Sequence, residues 1–135
     1  MFTGPAEDQL KIRERIDSYC DAVCRIALDD YLACWTADGV QLGQGGECRG
    51  IVELRAHWED IWRTVSRMAF MAQVGAIEVA GDHARARSYC LEMLQLRTGG
   101  THHVVGMYED ELRRVDGEWL FSQRDYRVFV NDNPS

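Results

Sequence analysis

From Met68 onward the chain runs in long stretches of mixed apolar and polar residues, broken only at Ala80-Gly81-Asp82, Thr98-Gly99-Gly100 and Asp116-Gly117. Three tight turns between runs of that length leave little choice of architecture. They predict four strands, over about 68–79, 84–97, 101–115 and 119–130, joined as an antiparallel meander with Asp116-Gly117 as a two-residue hairpin turn.

The residues before Met68 have a different period. Leu10, Ile12, Ile16, Tyr19, Cys20, Val23, Ile26 and Ala27 recur on one side of a helix expected over about 6–28, with Glu14, Asp17, Asp21 and Arg25 on the other. Asp29 or Asp30 is expected to cap a short second helix, DYLACW, with Tyr31, Leu32 and Trp35 turned inward. The segment VQLGQGGECRG reads as a strand entering a glycine-rich loop. Ile51, Leu54, Trp58, Ile61, Trp62 and Val65 then mark a third helix over about 51–66. The two prolines, Pro5 and Pro134, stand at the ends and interrupt nothing. Helices first and an antiparallel sheet after give an α+β order, which at 135 residues makes one domain with its core over about 8–130. A sheet of this length curled over its helices encloses an apolar cone that is open at one end.

Charge and composition narrow the partners. A net charge of −7 opposes phosphate backbones, and the arginines of the second half are interleaved with acids, so no nucleic-acid partner is expected. No apolar run approaches the ~20 residues that span a bilayer, and the charged start MFTGPAEDQLKIRER does not read as an export signal, so no membrane partner and a cytoplasmic location are expected. The five cysteines are odd in number and form no C-x-x-C pair, which fits reduced thiols. No His, Asp or Glu spacing matches a metal site, and no cofactor is expected.

The order of D-x-x-x-x-x-W-T-x-D-G-V, a Gly-rich loop, R-G-I-x-x-L-x-x-x-W, I-E-V-A-G-D-H-A-R-A-R-S-Y and the closing V-G-M-Y-E-D-E-L-R-R-V-D-G-E-W-L-F-S-Q-R resembles the SnoaL-like branch of the nuclear transport factor 2-like superfamily. The resemblance implies a cone-shaped α+β barrel with a deep pocket, often a homodimer through the outer sheet face. Its members include polyketide cyclases, scytalone dehydratase, a dehydrochlorinase and steroid isomerases. In the dehydratase and dehydrochlorinase members an Asp orients a His that abstracts a proton. Gap-free counting from Trp35 and Ile77 puts those two positions on Cys24 and Phe70, with the Asn that usually follows on Val74. The base of the isomerases falls on Gly43, whereas their tyrosine matches Tyr19.

The remaining candidates follow from strand alternation. His102 and His103 face opposite sides of one strand, and His103 shares a face with Val105 and Met107, which are expected to point inward. Tyr19 and His103 are thus the catalytic candidates, as hydrogen-bond donor and general base. Cys24, Trp35, Trp58, Phe70, Val74, Val105, Met107 and Trp119 are the expected ligand-binding residues. His57 and His83 read as solvated. Glu92 falls opposite Tyr89, Leu91 and Met93, and together with Arg85, Arg87, Arg124 and Arg127 it reads as part of an outer-face ion-pair network. Two readings remain. One is a pocket protein for a small hydrophobic, cyclic molecule with lyase, isomerase or cyclase chemistry. The other is a non-catalytic binding or assembly module that uses the outer sheet face.

Overall fold

The computed structural model describes residues 1–43 and 45–132. Its elements in chain order are β1 (Phe2–Thr3), α1 (Ala6–Arg25), α2 (Leu28–Leu32), β2 (Trp35–Gly43), β3 (Gly46–Arg49), α3 (Gly50–Thr64), β4 (Val65–Ala80), β5 (His83–Leu96), β6 (Thr101–Val115) and β7 (Glu118–Asn131). The sheet has the order β1-β4-β5-β6-β7-β2-β3. Its central meander is antiparallel, while β2 joins β7, and β1 joins β4, in parallel. The seven strands curve around the helices without closing into a barrel.

The four long strands and their turns lie where the sequence placed them. Asp116 and Gly117 both take positive φ, 51° and 82°, as a two-residue hairpin turn of the primed type needs. Other boundaries move. Helix α1 stops at Arg25 because Ile26 turns into the left-handed region at φ 55°, and the amides of Ile26 and Ala27 return to the carbonyls of Val23 and Ala22. Ala27 therefore precedes α2, and Asp29 and Asp30 sit in its first turn with no capping bond. Asp30 instead accepts from Arg25 at 2.7 Å on the surface. Trp35 opens β2 rather than ending a helix, and the expected loop after β2 folds back as β3.

Most of the predicted stripe of α1 is buried, with Ile12, Ile16, Tyr19, Cys20 and Val23 in the core, while Leu10 and Ile26 at its two ends are exposed. Leu54 and Trp58 of α3 close the other side. An aromatic cluster joins them. Tyr19 touches Tyr31, Trp35, Phe70, Tyr108 and Phe121 with ring centroids 5.4–6.3 Å apart. Such pairs each add about 0.5–1.5 kcal/mol beyond their buried area.

Candidate functional site

Strand register lays the inner face of the sheet out in rows. Across β4, β5 and β6 these are Met68–Leu94–His102, Phe70–Glu92–Val104, Ala72–Cys90–Gly106 and Val74–Ser88–Tyr108. Further along, Ala86–Asp110–Arg124 and Ala84–Leu112–Phe121 run across β5, β6 and β7. The later rows are packed solid under α1. The first two rows, with Tyr108, border a cavity of about 550 Å³ walled on the helical side by Tyr19, Val23, Trp58, Ile61 and Trp62.

The rows correct several expectations. His103 is exposed on the outer face, where its Nδ1 lies 2.6 Å from Asp132, and His102 is the histidine that lines the cavity. Val105 and Met107 share the outer face with His103. The alternation was right and its phase was wrong by one residue, which exchanges the two faces of a strand. Glu92 is opposite Tyr89, Leu91 and Met93, as read, but on the inner side and only 9% exposed. Arg124 is likewise internal, paired with Asp110 rather than with outer-face acids. Arg85 with Glu111, and Arg127 with Asp125, do pair on the outer face. His83 is exposed, while His57 is half-buried in the cavity wall rather than solvated.

Of the expected ligand-binding residues, Trp58 and Phe70 line the cavity, as does Tyr19. Trp35 and Trp119 are buried behind it, the latter with its indole N–H on Asp8 at 3.1 Å. Cys24 and Val74 pack against the core without bordering the space. Cys24 Sγ lies 3.3 Å from the Phe70 amide nitrogen and 3.4 Å from its carbonyl oxygen. The two positions found by counting are neighbours in space, and they carry a thiol and a phenyl ring.

One polar group in the cavity was missed. Gly106 explains how it is held. A Cβ at Gly106 would lie 2.7 Å from the Tyr126 ring, so the ring occupies the room that glycine leaves. Tyr126 there stacks on Tyr108 with centroids 4.8 Å apart, and its hydroxyl donates to the Glu92 carboxyl. Burial raises the Glu92 pKa, against the opposing pull of Tyr126 and His102. His102 in turn contacts Asn131 through Nε2. A glycine in the middle of a long strand was the sequence signal for this close approach.

The buried tyrosines and thiols are held neutral. Burial raises Tyr19, Tyr31 and Tyr108 well above the ordinary phenol range, Arg124 opposing in each case, so they serve as hydroxyl donors. Burial pushes the Cys20 and Cys90 thiols up to about 12, which makes them packing groups and not nucleophiles. Burial also lowers His57. Beneath the cavity Arg124 lies 4.3, 3.8 and 4.1 Å from the ring centroids of Tyr19, Tyr108 and Phe121. Its own burial opposes its charge, but Asp110, Tyr108 and Tyr19 outweigh that and raise its basicity. Among the described residues no group of three His, Cys, Asp or Glu side chains is arranged to hold a metal ion.

Helices laid into an open curved sheet, with an aromatic cavity between them, define an α+β pocket fold. The chain belongs to the SnoaL-like domain family, whose model matches residues 5–125. Among solved structures it is similar to a Novosphingobium aromaticivorans protein named as a candidate aromatic ring hydroxylase, at 26% identity and TM-score 0.88, over 95% of this chain and 93% of that one. A Mycobacterium tuberculosis protein of unknown function is also 26% identical, with TM-score 0.82 over 93% of this chain and 78% of that one. A type 2 hexachlorocyclohexane dehydrochlorinase shares the fold at 15% identity, with TM-score 0.86 over 96% and 90%. No curated protein sequence matches the chain. No helix among the described residues is long and apolar enough to cross a membrane.

Proposed function

We propose that this chain binds a small, largely apolar, ring-containing molecule in the cavity between α1, α3 and the sheet. The observation that carries this reading is the cavity itself: about 550 Å³, large enough for a small organic ligand, with Tyr19, Tyr31, Trp58, Trp62, Phe70 and Tyr108 in its wall. The chemistry such a ligand would meet is proton transfer. Tyr19 and Tyr108 offer hydroxyl donors, and His102, not His103, offers a base on the inner face. A lyase or isomerase step without the Asp-His dyad fits these groups, since Cys24 and Phe70 supply neither a carboxylate nor an imidazole.

Thermal-shift screening of aromatic, terpenoid and polyketide-like compounds tests binding, and turnover of the hits by Tyr19→Phe and His102→Ala variants tests chemistry. Stabilisation with turnover lost in either variant supports an enzyme. Stabilisation without turnover leaves a binding protein, and no stabilisation by any class contradicts the reading.

A second reading rests on the outer sheet face, where Met71, Leu91, Met93, Phe129 and Val130 are all exposed. We propose that this face joins two copies of the chain as a homodimer. Light scattering should give twice the chain mass, falling to the monomer in Leu91→Glu. A monomeric parent protein contradicts it.

A further inference from the structure

Granted the ligand site above, on which this inference rests, we propose that the occupant is a cation: a ring-bearing amine whose ammonium group sits at Glu92, with its ring among Phe70, Tyr108, Tyr126 and Trp62. Among the described residues the cavity wall contains no Lys or Arg, while Glu47, Glu53, Asp60 and Glu92 all border it. Three of these acids are already engaged near the rim. Glu47 takes Arg49 at 2.7 and 2.9 Å, Asp60 takes Arg63 at 2.5 Å, and Glu53 takes the Arg49 amide at 3.0 Å.

Glu92 differs. It is buried, and among the described residues no Lys or Arg pairs with it. The Tyr126 hydroxyl on β7, the Cys90 thiol at 4.0 Å on its own strand, and His102 and Tyr108 on β6 are the titratable groups around it, and Phe70 faces it from β4. A buried carboxyl with no cationic partner is a costly arrangement in an empty site. A bound ammonium supplies the missing charge, and the faces of the surrounding rings add cation–π attraction. A carboxylate or phosphate would instead meet Glu92 with no Lys or Arg in the wall. Arg124 does not offer one. It lies among the Tyr19, Tyr108 and Phe121 rings, outside the lining, and Asp110 balances it at 2.8 and 3.1 Å. The chain's net charge of −7 steers cations toward the protein and anions away.

Proton linkage follows from the same geometry. Because burial makes Glu92 hold its proton more tightly than a solvated carboxyl, an incoming ammonium binds to the ionised form and, at low pH, expels that proton to solvent.

Calorimetric titration with three probes of matched shape tests the proposal: 2-(2-naphthyl)ethylammonium, 2-(2-naphthyl)ethanol and 2-naphthylacetate. The ammonium is expected to bind about tenfold or more tightly than the alcohol, and the carboxylate more weakly than both. Glu92→Gln should erase the advantage of the ammonium, so that the ammonium and the alcohol bind with similar affinity. In the unmodified protein that advantage should also shrink as the pH falls through the Glu92 titration. Alcohol binding with no preference for the ammonium, or with the carboxylate bound best, overturns the charge assignment and leaves the pocket standing. Failure of all three probes overturns the ligand site and this inference together.

Discussion

Asp110 and Glu92 are acids buried on the inner face of adjoining strands, 3% and 9% exposed, and they are held in opposite ways. Asp110 has two charge-assisted bonds from Arg124, and that guanidinium is packed among three aromatic rings under α1. Glu92 has a phenol donor and borders a cavity. Where the interior is solid the charge is neutralised within the chain. Where it is hollow, the neutralising partner has to come from outside. The same sheet thus separates a structural end from a receptive end, and the boundary falls near Tyr108, which touches both Arg124 and Tyr126.

The contrast is broken most severely at its sealed end. Arg124→Met strands Asp110 in the core and should cost roughly 3–5 kcal/mol in denaturant unfolding, whereas the double change Asp110→Leu with Arg124→Met should be near neutral or stabilising. Equal losses in the single and double variants would remove the distinction. At the receptive end, Gly106→Val drives a side chain into the Tyr126 ring and should cost about 1–3 kcal/mol, with loss of ligand affinity as the second readout. Retained stability and affinity would show that the glycine is not what positions Tyr126.

Glu92→Gln should act in the other direction. A carboxyl whose folded pKa is raised contributes stability that is fully present below its ordinary value of 4.5 and is lost as pH rises through the folded value. The Gln variant should therefore match or exceed the parent at neutral pH and show a flatter pH dependence of unfolding just above 4.5. A variant less stable than the parent at neutral pH, with the changed pH dependence lying below 4.5, would mean that Glu92 has a cationic partner. The smallest effect belongs to Asp30→Asn, which loses a surface contact to Arg25 and no helix cap, and should leave the unfolding midpoint unmoved.

The sequence disclosed the scaffold because its signals are local. Turn residues ended the four long strands, 3.6-residue spacing set α1 and α3, and the family motifs fixed their order. The short pieces were harder to see. Strand β3 is four residues long, and β1 is two residues held by β4 from the far half of the chain. The phase of β6 was misread for a physical reason: Val105 and Met107, and across from them Tyr89, Leu91 and Met93, make the outer face as apolar as the inner one. A two-sided apolar strand carries no label for its buried side. The same ambiguity sent Glu92 and Arg124 to the surface in the sequence reading, although Ser88, Cys90, Glu92 and Asp110 form the inner rows that decide the chemistry. Tyr19 was legible because a helix has one buried stripe.

Among the described residues no Lys or Arg pairs with Glu92, and its carboxyl borders a space that a ligand can enter. Carbon-detected NMR titration of the Glu92 side chain, alone and with saturating 2-(2-naphthyl)ethylammonium, measures both properties. The expected result is a midpoint above the ordinary carboxylate range in the free protein that moves down when the ammonium binds. An ordinary midpoint that the probe leaves in place would contradict it.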